Sequence, residues 1–283
     1  LYVDLPADQG LALVEKERAV VRSDNGEMFG VVGREHKLLS NADFFDFADV
    51  LLGQADTTWA DAQPFGGALG SGKQPFLAFR LGEGVQVAGV DAVDNHVLLS
   101  NGHVGNTAFT VTVLPIRLKC SNVVTAAIRS GRKGAGLFTY SVQHSGDLAS
   151  KVIQAREALD MTSAYMREFA AIADRLVDID FTVSDFGDFV EQLIPVAEGA
   201  GERAVKTAET QRAAFRSNYR TETLSDDLRA TAWGALNIVT EVIDHGNLDV
   251  RKSKVDPAER RLRAVHFGTG AALRNRAYAL LGV

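Results

Sequence analysis

The chain has 283 residues, 46% of them hydrophobic and 23% charged, with a formal charge of −6; this globular composition excludes a disordered chain and leaves length for one large domain or two ordinary ones. Its apolar runs are broken by charge well short of the roughly 20 residues that a spanning helix needs, and residues 1–10 have no basic start followed by an apolar core, so a cytoplasmic protein with no membrane partner is expected. The lone Cys120 excludes an internal disulfide and a multi-cysteine zinc site.

In chain order, Ala19-Val20-Val21 and Met28 to Val32 flank Ser23-Asp24-Asn25-Gly26, a β-hairpin signal carried by Asn-Gly. Asn41 reads as the cap of a helix to Leu52, in which Phe44, Phe45, Phe47, Ala48, Leu51 and Leu52 recur at helical spacing. From Trp59 to Lys119 the pattern turns to strands, at Gln74 to Leu81, Asn95 to Ser100 and Thr107 to Leu118, with Gly-rich turns between them. Ser121 reads as the cap of a second short helix to Arg129, followed by a loop to Gly136 and a strand from Leu137 to Gln143. Helical spacing then dominates, over Leu148 to Leu176, Ser184 to Leu193, Gly201 to Tyr219, Ser225 to His245 and Pro257 to Leu281. The expected fold is α+β: a mostly antiparallel sheet with two short helices in residues 1–146, and a helical region in 147–283 packed on it as one unit.

The net charge conceals opposed blocks. Residues 1–94 hold seven bases and 15 acids, and 157–249 hold eight and 18. Residues 95–156 hold seven bases against the single acid Asp147, and 250–283 hold eight against two. A local positive field persists over about a Debye length, ~8–10 Å, whatever the total charge. Two readings stand: the basic segments bind a polyanion, or they face the acidic blocks inside the fold.

Gly67 to Gln74 nearly spells a phosphate-binding loop, but Gln74 occupies the hydroxyl position and Pro75 to Phe79 reads as a strand where the mechanism needs a helix. A hairpin loop with one basic tip, Lys73, is expected. The Gly131 to Gly136 loop is of more interest for Arg129, Arg132 and Lys133, with Phe138 and Tyr140 on the strand after it. Loop cations suit backbone phosphates and aromatic faces suit stacked bases. The candidate nucleic-acid contacts are therefore Arg117, Lys119, Arg129, Arg132, Lys133, Phe138, Tyr140 and Lys151, joined by Arg251, Lys252, Lys254, Arg260 and Arg261 of the basic C-terminal segment. Six scattered histidines form no tight metal motif, and Asp91, Asp94 and Asp147 could join a site only through the fold. Neither a metal nor a cofactor is expected, and no nucleophile elbow marks a catalytic serine.

Val31-Val32-Gly33 leading to the Asn41 helix, Leu98 to Gly105, Val113 to Asn122, His144-Ser145-Gly146 and His266 to Leu281 together resemble the phage/plasmid-like proteins, a family carrying a domain of unknown function. The chain departs from that pattern with Val104 in place of Asp and with Gln143-His144-Ser145 in place of Arg-His-Thr, so no catalytic role is assigned there. The resemblance implies a mobile-element setting and marks Arg117 and Asn122, on either side of Cys120. Arg117 has two readings, an anion contact or a partner for an internal carboxylate. The leading expectation is an oligomeric single-stranded DNA binding or annealing protein. The alternatives are an enzyme on a small phosphorylated or nucleotide ligand, with Asn101, His103, Arg117, Asn122 and His144 as its candidate pocket, and a structural or host-interaction protein assembled through its helices.

Overall fold

The computed structural model describes residues 2–4, 11–54, 59–103, 109–117, 122–123, 139–142, 162–220, 223–246 and 269–282. Four short strands come first: β1 (Tyr2–Asp4), β2 (Leu11–Leu13), β3 (Glu17–Val21) and β4 (Met28–Gly33). Two helices follow, α1 (Asn41–Gln54) and α2 (Trp59–Ala62), and then strands β5 (Phe65–Leu69), β6 (Gln74–Arg80), β7 (Val85–Val87), β8 (Asp91–Ser100), β9 (Phe109–Arg117), β10 (Asn122–Val123) and β11 (Thr139–Val142). The later elements are helical: α3 (Thr162–Val177), α4 (Val183–Leu193), α5 (Glu202–Ser217), α6 (Asp226–Arg229), α7 (Ala232–His245) and α8 (Thr269–Leu280). The fold is α+β, with antiparallel pairing in the first half and helices dominating the second. Its residues group into two compact units, one drawn from 1–81, 96–112 and 139–161, the other from 82–95, 113–138 and 162–283.

In the first unit, β3 and β4 form the hairpin expected at Asn25-Gly26, where Gly26 takes φ +72° and the Asn25 side chain accepts from the Glu27 N–H at 2.9 Å. β6 pairs antiparallel with β5 and with the second half of β8, and β11 pairs with the first half of β9. The helix α1 lays Phe44, Phe47, Ala48, Leu51 and Leu52 against Leu77, Phe79, Val97, Leu99, Phe109 and Val111. Phe47 meets Phe109 edge-on at 5.0 Å. Each large side chain buried in this way contributes about 1.5–3 kcal/mol before entropy is counted.

The start of α1 corrects the sequence reading. Ser40, not Asn41, is the cap: its hydroxyl accepts from the Asp43 N–H at 3.1 Å, and the Asp43 carboxylate accepts from the Ser40 hydroxyl at 2.7 Å and N–H at 3.3 Å. This reciprocal pair is a capping box. Asn41 is thereby one position inside the helix and its amide is free for other contacts. Two further expectations change. Residues 59–62 form a helical turn where strand was expected, and Asn122–Val123, expected to open a helix, pair as a strand with Arg117 and Ile116.

The second unit is built around Trp233, which is fully buried and meets Phe169 edge-on at 6.0 Å. Helices α3, α4 and α7 contribute most of its core, and Val87, Val93 and Val113 of the strands join it. The α4 helix starts with a second capping box, Thr182 with Asp185. The Thr182 hydroxyl, with the Thr182 N–H, holds the Asp185 carboxyl below its ordinary value. Within α4, a methyl added at Gly187 meets no heavy atom within 4 Å. Gly187→Ala is therefore expected to raise stability by about 0.5–1 kcal/mol, read from a chemical denaturation midpoint, because a helical glycine loses more chain entropy on folding than alanine does.

The helix expected over Ser225 to His245 is two helices. The chain leaves α6 at Ala230, and Thr231 caps α7 by accepting from the Gly234 N–H at 3.1 Å. The break is held from outside: Phe181 N–H donates to the Ala230 carbonyl at 2.8 Å and Ala232 N–H to the Ile179 carbonyl at 2.9 Å.

Candidate functional site

Two of the candidate pocket residues come together in the first unit. His103 lies at the end of β8, 3% exposed, with its ring stacked on Phe29 at 5.5 Å and 5° between planes. Because the Asn41 amide nitrogen donates to the Gly72 carbonyl at 3.2 Å, its oxygen is the acceptor, and the His103 Nε2–H donates to it at 2.6 Å. Asn101 donates its side-chain amide to the Leu39 carbonyl at 3.1 Å and its N–H to the Pro75 carbonyl at 3.0 Å. The His103 N–H reaches the Lys73 carbonyl at 3.2 Å. These bonds clasp the start of α1, the β5–β6 turn and the end of β8 to one another. The sequence reading missed Asn41 as a member, since a polar residue before an apolar helical run looks like a cap; Ser40 three residues before Asp43 was the signal that could have freed it.

The same clasp explains the near-match to a phosphate-binding loop. Gly70, Ser71 and Gly72 all have positive φ, at 59°, 57° and 103°, and form the turn between β5 and β6. Their carbonyls are used by the protein: Lys73 N–H donates to Gly70 at 3.3 Å, Arg22 to Ser71 at 2.8 Å and Asn41 to Gly72. A strand, not a helix, follows the loop and its carbonyls face the protein, so it is a hairpin turn and not a phosphate cradle.

Arg117 lies in the second unit. Its side chain is completely buried, and its Nε donates to both carboxylate oxygens of Asp91, at 2.7 and 2.6 Å, while Nη2 donates to the Thr223 carbonyl at 2.7 Å. The Trp233 indole N–H donates to the same carboxylate at 3.0 Å. Of the two readings of Arg117, the structure shows the internal carboxylate. A guanidinium with no exposed surface does not meet a phosphate or a ligand, so Arg117 leaves both candidate sets. Burying the two charges costs several kcal/mol per ion, which the pairing and the added carbonyl and indole bonds offset. Asp91, read in the sequence as a carboxylate that could join a site only through the fold, and Trp233 complete this group.

Elsewhere the acidic 157–249 block uses its own arginines. Glu191 and Glu209 both pair with Arg212, at 2.5 and 2.6 Å, Glu191 also pairs with Arg216, and Asp226 with Arg229. One cation of the C-terminal basic block, Arg274, is buried against Asp244, beside Tyr278, whose hydroxyl is pushed well above the usual tyrosine range by burial. Of the remaining candidates, Tyr140 lies on β11 opposite Val111 and Asn122 on β10 opposite Arg117. Lys119, Arg129, Arg132, Lys133, Phe138, His144, Lys151, Arg251, Lys252, Lys254, Arg260 and Arg261 lie outside the described residues. Among the described residues, no three His, Cys, Asp or Glu side chains gather in a way that could hold a metal ion, and no helix is long and apolar enough to cross a membrane.

Residues 28–266 match the family model described as a domain of unknown function (DUF932). No curated protein and no solved structure matches the chain.

Proposed function

We propose, from the premise that the chain belongs to the DUF932 family, a domain of unknown function, that it is a nucleic-acid-binding protein of a phage or plasmid, acting as a homo-oligomer on single-stranded DNA in the host cytoplasm. The observation that carries this reading is the charge of residues 95–156 once Arg117 is taken out. Lys119, Arg129, Arg132, Lys133, Lys151 and Arg156 then remain against Asp147 alone. The pairing of Glu191, Glu209 and Asp226 with arginines of their own block argues against those carboxylates as the partners of that excess. Backbone cations supply salt-dependent affinity, and Phe138 and Tyr140 supply stacking that tolerates any base.

Fluorescence anisotropy of a labelled single strand, titrated at two salt concentrations, tests this. Tight binding at low salt is expected, with a log–log salt slope of about 0.7 per phosphate contact. Reversing Arg132 and Lys133 together to Glu should weaken binding and reduce that slope. Absence of binding at low salt, or binding indifferent to the double reversal, rejects the proposal.

A further inference from the structure

In the first unit, the outer edge of β5 has a composition that fits a particular partner. Among the described residues β5 ends its sheet, pairing only with β6. The register sets Ala68 opposite Pro75 and Gly66 opposite Leu77. Proline has no N–H, so Ala68 and Pro75 cannot exchange the two hydrogen bonds of a close antiparallel pair. The Pro75 carbonyl in fact accepts from Asn101 on the opposite side. Alternation along the ladder then turns Phe65, Gly67 and Leu69 toward β6, and aims the N–H and C=O of Gly66 and Ala68 outward, where both residues are exposed.

An open edge in a native protein is usually guarded by charge, by proline or by a bulge. Here Phe65 to Gly72 contains no charged residue, proline stands only at Pro64, just before the strand, and the β5 ladder has no register shift. Gly66 has an inward reason: a methyl there would lie 2.8 Å from a Leu77 methyl carbon and 3.0 Å from the Phe76 carbonyl, whereas one at Gly67 would make only ordinary contact with the Phe76 ring. That packing does not account for the outer edge, nor for Phe65, a large apolar side chain 59% exposed beside it.

We infer that the β5 edge is a self-association surface, on which β5 of a second copy of this chain adds antiparallel about a twofold axis at Gly67. The match is to itself. With Gly67 opposite Gly67 of the second copy, Gly66 faces Ala68 of the other strand and Ala68 faces Gly66, so the outward groups of both strands are paired by symmetry. The same register brings the exposed Phe65 of each strand to the end of the other strand at Leu69, whose own side chain is already buried, so Phe65 is the apolar group that gains cover, twice over. No like charges face one another, because the strand carries none. A charged partner strand has nothing here to recognise it, whereas a second β5 matches this edge in its outward groups and in its lack of charge. The surface uses no residue of the proposed DNA contacts, and it stands whether or not DNA binds.

Light scattering on the full chain without DNA, over a dilution series, gives the first reading. A mass of twice the 30.5 kDa chain is expected at the concentrated end. Ala68→Pro removes one outward N–H and leaves the β5–β6 ladder intact, since proline is tolerated at an edge position facing away from its neighbour; the folded variant should show a single chain mass. Gly67→Cys supplies a reading independent of how Ala68→Pro folds. Its sulfurs would meet across the axis at a non-hydrogen-bonded pair, about 4.5 Å between Cα atoms, within disulfide range. Mild oxidation should convert it to a covalent dimer, while the parent chain with Cys120 alone should not convert. A chain that stays at single mass, a folded Ala68→Pro that keeps the doubled mass, or a Gly67→Cys that fails to cross-link overturns the inference.

Discussion

Arg117→Ala is expected to lower the stability of the protein by about 3–5 kcal/mol and to leave the DNA affinity of the folded fraction unchanged. The first half follows from what remains behind. Asp91 is buried with the arginine, and truncation leaves its carboxylate holding a single donor, the Trp233 indole, in a site closed to water. Breaking a buried pair by removing one partner typically costs that amount, because the surviving charge is uncompensated. Replacing both, as Asp91→Leu with Arg117→Met, should recover much of the loss. It should not recover all, since the Trp233 N–H then lacks its acceptor and the Thr223 carbonyl loses the Arg117 donor. Urea denaturation of Asp91→Leu, Arg117→Met and the double closes a thermodynamic cycle. The second half separates this residue from the loop cations: a stable Arg117→Ala that loses DNA binding would contradict the buried placement on which it has been taken out of the contact set.

Gly234→Ala should cost about 3 kcal/mol or more, in contrast to the gain expected at Gly187. A methyl at Gly234 would sit 2.1 Å from the Leu228 carbonyl oxygen and 2.8 Å from the Arg229 Cα. Those neighbours are backbone, so no rotamer relieves the clash and the α6–α7 junction itself must move. Moving it strains the Thr231 cap, whose hydroxyl donates to that same Leu228 carbonyl at 2.7 Å, and the two bonds from residues 179–181 that hold the break. A thermal melt of Gly234→Ala within a few tenths of a kcal/mol of the parent would show that the close approach is not required.

Much of the framework was legible. The α1 helix was readable from Phe44, Phe47, Ala48, Leu51 and Leu52, and the first hairpin from Asn25-Gly26, because each signal is contained in its own segment. The division of Ser225 to His245 into two helices was not readable, since Arg229-Ala230-Thr231 contains neither glycine nor proline and the bonds that stop α6 come from Ile179 and Phe181. The clasp was half legible. Asn101 and His103 were singled out together, but Asn41, which joins His103 to the turn, lies 62 residues away.

By itself the sequence determined the α+β class, the order of the main elements and the alternation of acidic and basic blocks, because periodicity and composition are properties of the chain before it folds. The tertiary structure alone decided the fate of individual polar groups. Arg117 carries the same charge whether it faces solvent or Asp91. What set its role were a carboxylate 26 residues away and a carbonyl 106 away, while the indole that shares the carboxylate lies 142 residues from Asp91. A charge removed from water must find such partners wherever the fold brings them, and that requirement is written in three dimensions.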